Sequence, residues 1–323
     1  MTGSDTSAPA PPAGGRGRIA FLGPEGTFSE QALLTQPDYA AMELVSCGTI
    51  SDVLHAVTSG EADIGFVPIE NAIEGSVNVT LDALIFDHEL RMQREVVIPI
   101  VMCLLAPAGV GLGDIERIVS IPVATAQCRA YLSEHLPRVE HVPANSTAGA
   151  ARTVAEEADG RSAAIGTSLA AKVHGLEVLA EDIEDHRGNE TRFVAVTRGG
   201  VAGPTGHDKT TIVVFQRADR PGSLLSILQE FAARAINLTR LESRPTKRGL
   251  GDYCFIIDLE GHVGDELVAD ALRDLKSKNE DVLFLGSYAA AGETAPRVRR
   301  EAEASWAEAN DWVQALRAEV PAD

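Results

Sequence analysis

Short apolar runs rich in β-branched residues alternate with helical segments from Arg18 to about residue 197, and this alternation limits the fold more than any other feature. Runs such as RIAFLG, DIGFVP, RIVSI and SAAIG are each followed by a stretch of helical character. Strands and helices in this order are typical of mostly parallel sheets with helices packed on their faces. We therefore predict an α/β region, and its length of about 180 residues is large for a single sheet.

Two further runs divide this region. EVVIPIVMCLLA (95–106) is expected to carry the chain from one lobe to a second, and TRFVAV to bring it back. Lobe one would then comprise about 18–97 and 190–200, and lobe two about 98–189. This plan resembles that of periplasmic binding proteins, and a cleft between two lobes is a favoured place for a ligand.

A second block follows a Gly- and Pro-rich linker at 201–208. Its strands and helices over 209–288 follow the order βαββαβ, which predicts a ferredoxin-like α+β unit. Residues 289–323 are rich in Ala, Glu and Arg and are expected to form a helical extension. Residues 1–17 are polar, rich in Pro and Gly and without periodicity, so we expect a disordered tail.

Composition and motifs exclude several classes of function. The formal net charge of −19 argues against a nucleic-acid partner, because a phosphate backbone requires clustered Lys and Arg. No run approaches the ~20 apolar residues of a membrane span, and the N-terminus lacks the apolar core of a signal peptide. We expect a cytoplasmic protein whose scattered cysteines are buried and reduced. The sequence shows no HExxH motif, no GxGxxG after the first strand and no P-loop, so neither a metal nor a nucleotide cofactor is expected. No GxSxG motif is present either.

Hydroxyl residues open several predicted helices directly after a strand. Each is an ordinary candidate for N-capping, which satisfies backbone donors of the first turn. Such turns also meet at one edge of an α/β sheet, where hydroxyls and helix N-termini favour a carboxylate. We expect them to converge on a site for a dianion, which an acidic protein otherwise attracts poorly. The residues concerned are Thr27, Ser146, Thr147 and Thr167, with Ser29, Ser76 and Ser168 in similar positions.

The segment DHRGNETRF concentrates polar groups before an apolar strand. On composition alone it is a hydrophilic loop, but Thr191 and Arg192 can also project into the cleft. Arg192 would then hold a carboxylate bidentately, or instead form a structural pair with Asp185, and Thr191 would donate a proton or hydrogen bond. Asn71 and Glu70 follow the strand DIGFVP, either as loop residues or with Glu70 partly buried.

Five strings, in this order, resemble the motifs of the prephenate dehydratase family. GPEGTFSEQA (23–32) resembles its GPxGT(F/Y)(S/T)xxA, PIENAIEGSV (68–77) its PIENSxEGxV, and DIEDHRGNETRF (182–193) its DxxxNxTRF. RPGSLLSIL stands where the family has a GAL-type turn, and LESRP (241–245) matches the ESRP element of phenylalanine-responsive members. One string would be weak evidence, whereas five in order over residues 18–288 are specific.

The sequence departs from the family pattern at one motif. SIPVATAQC stands where SHPQAxxQC is usual, so Ile121 and Val123 replace His and Gln. Either those polar residues are dispensable for the chemistry or the substrate is held slightly differently. Gln127 and Cys128 match the pattern.

The resemblance implies an enzyme that converts prephenate to phenylpyruvate in phenylalanine biosynthesis. No cofactor is implied, because aromatisation of the substrate ring drives the loss of water and CO₂. By resemblance, Thr191 assists the leaving hydroxyl, Arg192 holds a carboxylate and Phe193 forms an apolar wall. The other implied pocket residues are Thr27, Asn71, Ser146, Thr147 and Thr167.

The ferredoxin-like unit resembles an ACT domain, which implies feedback control by L-phenylalanine. ACT units pair, so we expect a homodimer or homotetramer with the effector at the pairing interface. The turn at Gly222 would bind the carboxylate, and Asn237 or a backbone carbonyl would bind the ammonium group. The full set of expected effector residues is Pro221, Gly222, Ser223, Leu224, Asn237, Leu238, Glu242, Ser243 and Arg244.

Two alternatives remain open at this point. One is an arogenate dehydratase, because arogenate carries an amino group in place of the keto group and the motifs do not separate the two substrates. The other is a two-lobed amino-acid sensor without catalysis, against which the NETRF string and the ACT-like unit weigh. No chorismate mutase or dehydrogenase segment is recognised, so we expect a monofunctional enzyme.

Overall fold

The computed structural model describes residues 17–216, 220–249, 251–291, 308–313 and 315–318. They form two compact units. The larger unit contains the described residues up to Glu89 and Val96–Arg198, and the smaller contains Leu90–Glu95 and the described residues from Gly199. Residues 1–16 of the predicted tail and 292–307, 314 and 319–323 of the predicted extension lie outside the described residues, whereas 308–313 and 315–318 are helical. Within the described ranges, no helix is long and apolar enough to cross a membrane.

The larger unit contains most of the regular elements. In chain order they are β1 (Arg18–Leu22), α1 (Phe28–Leu34), α2 (Pro37–Ala40), β2 (Glu43–Cys47), α3 (Ile50–Ser59), β3 (Ile64–Asn71), β4 (Gly75–Ser76), α4 (Asn78–Asp82) with a π-helical turn (Ala83–Asp87), β5 (Arg91–Pro99, whose first half belongs to the smaller unit), β6 (Cys103–Ala106), β7 (Arg117–Ser120), α5 (Pro122–Gln127), α6 (Arg129–His135), β8 (Glu140–Pro143), α7 (Thr147–Glu157), β9 (Ser162–Gly166), α8 (Ser168–His174), β10 (Glu177–Ala180) and β11 (Glu190–Thr197).

These strands form one sheet in each of two lobes. In lobe one the order is β5-β11-β3-β1-β2, with β1 parallel to β2 and β3 and with β11 antiparallel to β3. In lobe two the order is β10-β6-β9-β7-β8, with β7 parallel to β8 and β9. The chain passes between the lobes twice, after β5 and before β11, and this double crossover brings the ends of β3 and β11 together.

Hydroxyl caps begin several helices, as the strand-to-helix turns predict. Thr27 caps α1, Thr49 caps α3, Ser146 caps α7 and Thr167 caps α8, each accepting a backbone N–H from the first turn. Helix α3 ends at Gly60 in the left-handed region, which glycine adopts without steric cost. Local sequence therefore fixes where these helices start and stop.

The smaller unit is a four-stranded antiparallel sheet with two helices. Its elements are β12 (Asp208–Phe215), α9 (Ser223–Ala232), β13 (Leu238–Pro245), β14 (Tyr253–Glu260), α10 (Glu266–Lys278) and β15 (Asp281–Ala289), in strand order β13-β14-β12-β15. Ile227 and Phe231 of α9 and Leu275 of α10 pack on Ile212 and Ile257 of the sheet. The order βαββαβ is ferredoxin-like. The predicted fold class, a two-lobed α/β region with a ferredoxin-like unit, is confirmed.

The segment predicted as a linker makes specific hydrogen bonds within the smaller unit. Gln93 Nε2 donates to the carbonyls of Gly199 and Gly200 at 3.3 and 3.0 Å. His262 Nδ1 accepts the Gly264 N–H, so its Nε2–H donates to the Ala202 carbonyl at 2.8 Å. The segment is thus held by side chains that composition alone does not connect to it.

Candidate active site

The ends of β3 and β11 bring two polar segments together. Thr191 pairs with Asn71 and Arg192 with Glu70 in the antiparallel register. Asn71 and Thr191 are 120 positions apart in the sequence, yet their side chains are in hydrogen-bond contact. The strand pairing therefore joins the PIENAIEGSV and DIEDHRGNETRF strings into one site.

The Asn71 carboxamide uses all of its hydrogen-bonding groups. Its Oδ1 accepts the backbone N–H groups of Ile73 and Glu74, at 3.0 and 2.9 Å. Its Nδ2 donates to Asn189 Oδ1 at 2.8 Å and to Thr191 Oγ1 at 2.9 Å. Because a carboxamide nitrogen cannot accept, Thr191 Oγ1 is the acceptor, and its own proton is left for another partner.

Arg192, the residue after Thr191 on β11, places a cation beside Glu70 of β3. Its side chain is 10% exposed, and Nη1 lies 3.3 Å from Glu70 Oε2. The predicted carboxylate-binding arginine is therefore already beside a carboxylate of the protein. Asp185, the partner considered from the sequence, accepts the backbone N–H of Ala130 at 2.9 Å.

Phe193 lies in the core of lobe one. It is 1% exposed and stacks on Phe66 with ring centroids 5.4 Å apart. The sequence predicted an apolar wall for the pocket, and this packing leaves little of the ring accessible to a ligand. The ring instead holds β11 against β3, and Thr191, two residues earlier, is 8% exposed.

The hydroxyls predicted to converge are partly used inside the protein. Thr167 Oγ1 donates to the carbonyl of Gly26 across the two lobes at 2.6 Å. Thr27 Oγ1 donates to the Leu22 carbonyl at 3.1 Å and accepts the Glu30 N–H. Gly26 has φ +86°, and a Cβ there would press against Ala170, so glycine allows this close approach.

The two remaining hydroxyls lie at the start of α7. Ser146 Oγ accepts the Gly149 N–H at 2.9 Å, and Thr147 is buried. Ser146 lines a cavity of about 500 Å³ with Gly23 and Pro24 of lobe one and Arg152 of α7. Among the residues predicted to bind the substrate, only Ser146 lines this cavity.

A second contact joins the lobes close to Asn71. Gln127 Nε2 donates to Glu74 Oε1 at 3.0 Å, and the Asp185 N–H donates to the Gln127 carbonyl at 2.6 Å. Ile121, one of the two replacements of usual polar residues, packs against the core, and Val123 is 45% exposed. Neither aliphatic side chain can donate or accept a hydrogen bond.

The buried thiols of lobe two stay protonated. Burial, with the nearby carboxylates of Glu181 and Glu184, raises the pKa of Cys103 to about 11. Burial, with Glu184 and Asp185, raises the pKa of Cys128 to about 12. A thiol in this state is a poor nucleophile. In the described part of the chain, no group of three or more His, Cys, Asp and Glu side chains could hold a metal ion.

The predicted effector residues lie at two places in the smaller unit. Pro221 and Gly222, with Ser223 and Leu224, form the turn that begins α9, and Gly222 has φ +88°. The others are Asn237, Leu238, Glu242, Ser243 and Arg244, directly before and on β13.

Four side chains of this second group already have partners within the smaller unit, those of Asn237, Leu238, Glu242 and Arg244. Asn237 Nδ2 donates to Glu260 Oε1 at 3.0 Å, and Leu238 packs on the core. Glu242 accepts from Arg240 and Arg244 at 2.7 and 3.3 Å. A ligand that meets Asn237 therefore also meets the Glu260 carboxylate, which the sequence did not single out.

Sequence patterns missed two contributors to the candidate site. Asn189 was recognised only as a motif position, and its side chain is bonded to Asn71. Glu70 was expected to be partly buried, but not to contact Arg192. The spacing gives a local signal, since Asn189, directly before β11, and Thr191 are two residues apart and extended chain places such residues on the same side.

Comparison with known proteins identifies the family. The prephenate dehydratase family model matches residues 19–200, and the ACT domain model matches residues 210–277. The chain belongs to the prephenate dehydratase family. The predicted enzyme class, a carbon–oxygen lyase, is confirmed with it.

Relatives of this family match the chain over most of its length. Prephenate dehydratase of Mycolicibacterium vanbaalenii is 44% identical over 284 residues, covering 84% of this chain and 90% of the relative. The prephenate dehydratase of Amycolatopsis methanolica is 43% identical over 306 residues, covering 93% of this chain and 98% of the relative. The crystal structure of the Arthrobacter aurescens prephenate dehydratase in complex with L-Phe is 45% identical, with a TM-score of 0.83, covering 93% of this chain and 99% of that one.

Proposed function

We propose that this chain converts prephenate to phenylpyruvate, water and CO₂ in phenylalanine biosynthesis. The observation that carries the proposal is the Asn71–Thr191 pair in a protein of this family. Asn71 donates to Thr191 Oγ1 at 2.9 Å, which leaves the Thr191 proton to be donated to a substrate oxygen. A hydrogen-bond donor aimed at the leaving group is what this reaction needs from the enzyme.

The reaction breaks two bonds at the substrate ring. The C–O bond to the ring hydroxyl breaks as that oxygen takes a proton, which comes in net from the solvent, and leaves as water. The C–C bond to the ring carboxylate breaks as CO₂ leaves, and its electron pair enters the ring and makes it aromatic. Because the electrons balance within the substrate, the step needs neither an oxidant nor a reductant.

Thr191 would donate a hydrogen bond to the leaving oxygen. A threonine hydroxyl is too weak an acid to transfer its proton outright at neutral pH. Its effect on the rate must therefore come from the placement of the hydrogen bond that it donates. At 8% exposure the hydroxyl lies where water competes little for the hydrogen bond.

The substrate's two carboxylates require cationic or N–H partners. We propose that one of these carboxylates binds the Arg192 guanidinium, which Glu70 holds in place. Ser146 and Thr147 would meet an anion at the start of α7, where backbone N–H groups face outward. Thr27 and Thr167 would act by fixing the adjoining loops, and Phe193 by holding β11.

Incubation of the purified protein with prephenate tests the proposal. Phenylpyruvate, followed by its absorbance, should appear together with CO₂. Turnover of arogenate alone would replace the proposal with the arogenate alternative. Binding of either compound with turnover of neither would favour the two-lobed sensor and overturn the proposal.

Regulation by L-phenylalanine is part of the same proposal. The Arthrobacter aurescens relative was solved with L-Phe bound, and this chain has the ACT match at residues 210–277. We propose the α9 turn with β13 as the effector site, 209–288 as the regulatory domain, and a cytoplasmic homodimer or homotetramer. Inhibition by L-phenylalanine, with the mass in solution measured with and without it, tests these statements.

A further inference from the structure

We propose that Asn189 is a positioning residue for the dehydration step. Its side-chain carbonyl would fix the Asn71 carboxamide in the one orientation that presents an N–H to Thr191 Oγ1. This inference rests on the proposed function and gives a role to a residue that the motifs leave without one.

Asn189 is well placed to orient another side chain. It is 4% exposed, and its backbone carbonyl accepts the Ile100 N–H at 2.8 Å, which anchors the residue just before β11. From this fixed point, its Oδ1 accepts Asn71 Nδ2 at 2.8 Å. Thr191 follows two residues later and accepts from the same Nδ2.

The orientation of Asn71 matters because its carboxamide has two different ends. If the group turned by half a rotation, its oxygen would face Thr191, and the threonine would donate its proton to Asn71. Asn189 Oδ1 can only accept, and the N–H groups of Ile73 and Glu74 can only donate, so together they admit a single orientation. That orientation keeps the Thr191 proton free for the leaving group.

The same chain of bonds should also make Thr191 a better donor. A hydroxyl oxygen that accepts an N–H bond is polarised and donates more strongly, particularly in a buried site. Removal of Asn189 Oδ1 would leave one Asn71 N–H without its partner, so the carboxamide would be held only at its oxygen end and its other N–H would be aimed less precisely at Thr191 Oγ1. We therefore expect a loss in the rate of the chemical step with little loss in substrate binding.

A double-mutant cycle separates this role from simple support of the fold. Asn189→Leu should lower kcat for prephenate by about 10- to 100-fold, as misplacement of a reacting group does, with KM changed less than about twofold. In the Thr191→Val background the same substitution should cost nothing further, because the group that Asn189 serves is absent. If the two losses multiply, Asn189 does not act through Thr191 and the inference is overturned.

A conservative variant and a matched control complete the test. Asn189→Asp keeps an acceptor for Asn71, so it should retain kcat to within about threefold while its charge raises KM for the dianion. Asn279→Leu removes a carboxamide that donates to the Leu275 carbonyl in the smaller unit, and its kcat should be unchanged.

The outcomes distinguish this inference from the proposed function. If wild-type protein does not turn over prephenate, the proposed function fails. If it does, but Asn189→Asp loses as much kcat as Asn189→Leu, only the role of Asn189 fails. Should the leucine variant not melt cooperatively, Asn189→Ala in both backgrounds provides the same cycle.

Discussion

At the scale of single residues, the candidate site is decided by which groups can donate and which can accept. Asn71 Oδ1 is occupied by two backbone N–H groups, so only its Nδ2 can face Thr191. A threonine in a sequence string carries no information on the direction of its hydrogen bond. The direction follows from the neighbours that strand pairing supplies.

The first prediction concerns the Thr191 hydroxyl. Thr191→Val keeps the shape of the side chain but removes the donor, so kcat should fall by about 10² or more. KM should change little, because the carboxylates bind elsewhere. Steady-state kinetics with prephenate measures both constants. Thr191→Ser retains the hydroxyl and should retain most of the activity, and near-normal kcat in the valine variant would remove Thr191 from the mechanism.

A second prediction concerns the Arg192 guanidinium. Lysine lacks the planar fork that can serve Glu70 and a substrate carboxylate together, so Arg192→Lys should mainly weaken binding. The expected loss is roughly 1.5–3 kcal/mol, the range for a hydrogen bond to a charged group, read from KM. Arg161→Lys is the control, since that arginine is exposed, pairs with Glu116 and does not line the cavity at Ser146. An unchanged KM for Arg192→Lys would make Arg192 structural.

At the scale of elements, the two helices of the smaller unit are joined by a cluster of charges. Arg234, two residues after the end of α9, contacts Glu230 of α9 and Asp270 and Asp274 of α10, at 2.9, 2.7 and 2.6 Å. Its side chain is 14% exposed, so these bonds are less screened by water than surface pairs. The cluster fixes how the helices pack on their sheet.

The third prediction follows from this cluster. The hydrogen bond from Arg234 lowers the pKa of Asp274, so the carboxylate stabilises the fold at pH values above its ordinary pKa and loses this effect as pH falls through the lowered one. Arg234→Gln should lower the free energy of unfolding at pH 7, and by less near pH 3.

Urea unfolding at the two pH values measures this difference. Arg273→Gln is the control, because Arg273 is exposed and its pair with Asp270 should contribute about 0–1 kcal/mol. An equal loss for Arg234→Gln at both pH values would show that packing, and not charge, accounts for the effect.

At the scale of the whole molecule, the smaller unit depends on a strand segment from the middle of the chain. Lys209 Nζ lies 2.9 Å from Glu95 Oε1, and the Glu95 side chain is 1% exposed. A Cβ on Gly286 of β15 would collide with the backbone of Met92. Truncation after Thr205 would remove β12 and β15, which pack on this segment, and would leave the Glu95 carboxylate without its ammonium. Point variants therefore test regulation by L-phenylalanine more cleanly than this truncation does.

The fourth prediction uses such a variant. Gly222 has a left-handed φ of +88° with open space around it, so Gly222→Val strains the turn that would bind the effector carboxylate. The L-phenylalanine concentration that halves the activity should rise by about tenfold or more, while kcat without the effector stays near normal. The matched control is Gly109→Val, which also has a left-handed φ and open surroundings but lies in lobe two. Equal inhibition in both variants would move the effector site away from this turn.

Local patterning determined much of this protein from the sequence. The alternation of strands and helices, the caps at Thr27, Ser146 and Thr167 and the βαββαβ order depend on residues within a few positions of each other, so the sequence displays them directly. The motif strings also indicated the family, and they placed Thr191 in the candidate site.

Only the tertiary structure decided which distant groups meet. The Asn71–Thr191 and Glu70–Arg192 contacts depend on the register between β3 and β11, and a shift of one residue would turn each side chain to the other face. The placement of Phe193 in the core depends on its stacking with Phe66, a residue from another part of the chain. Periodicity reports the face of a strand and not its neighbour, so these contacts were beyond the reach of sequence patterns.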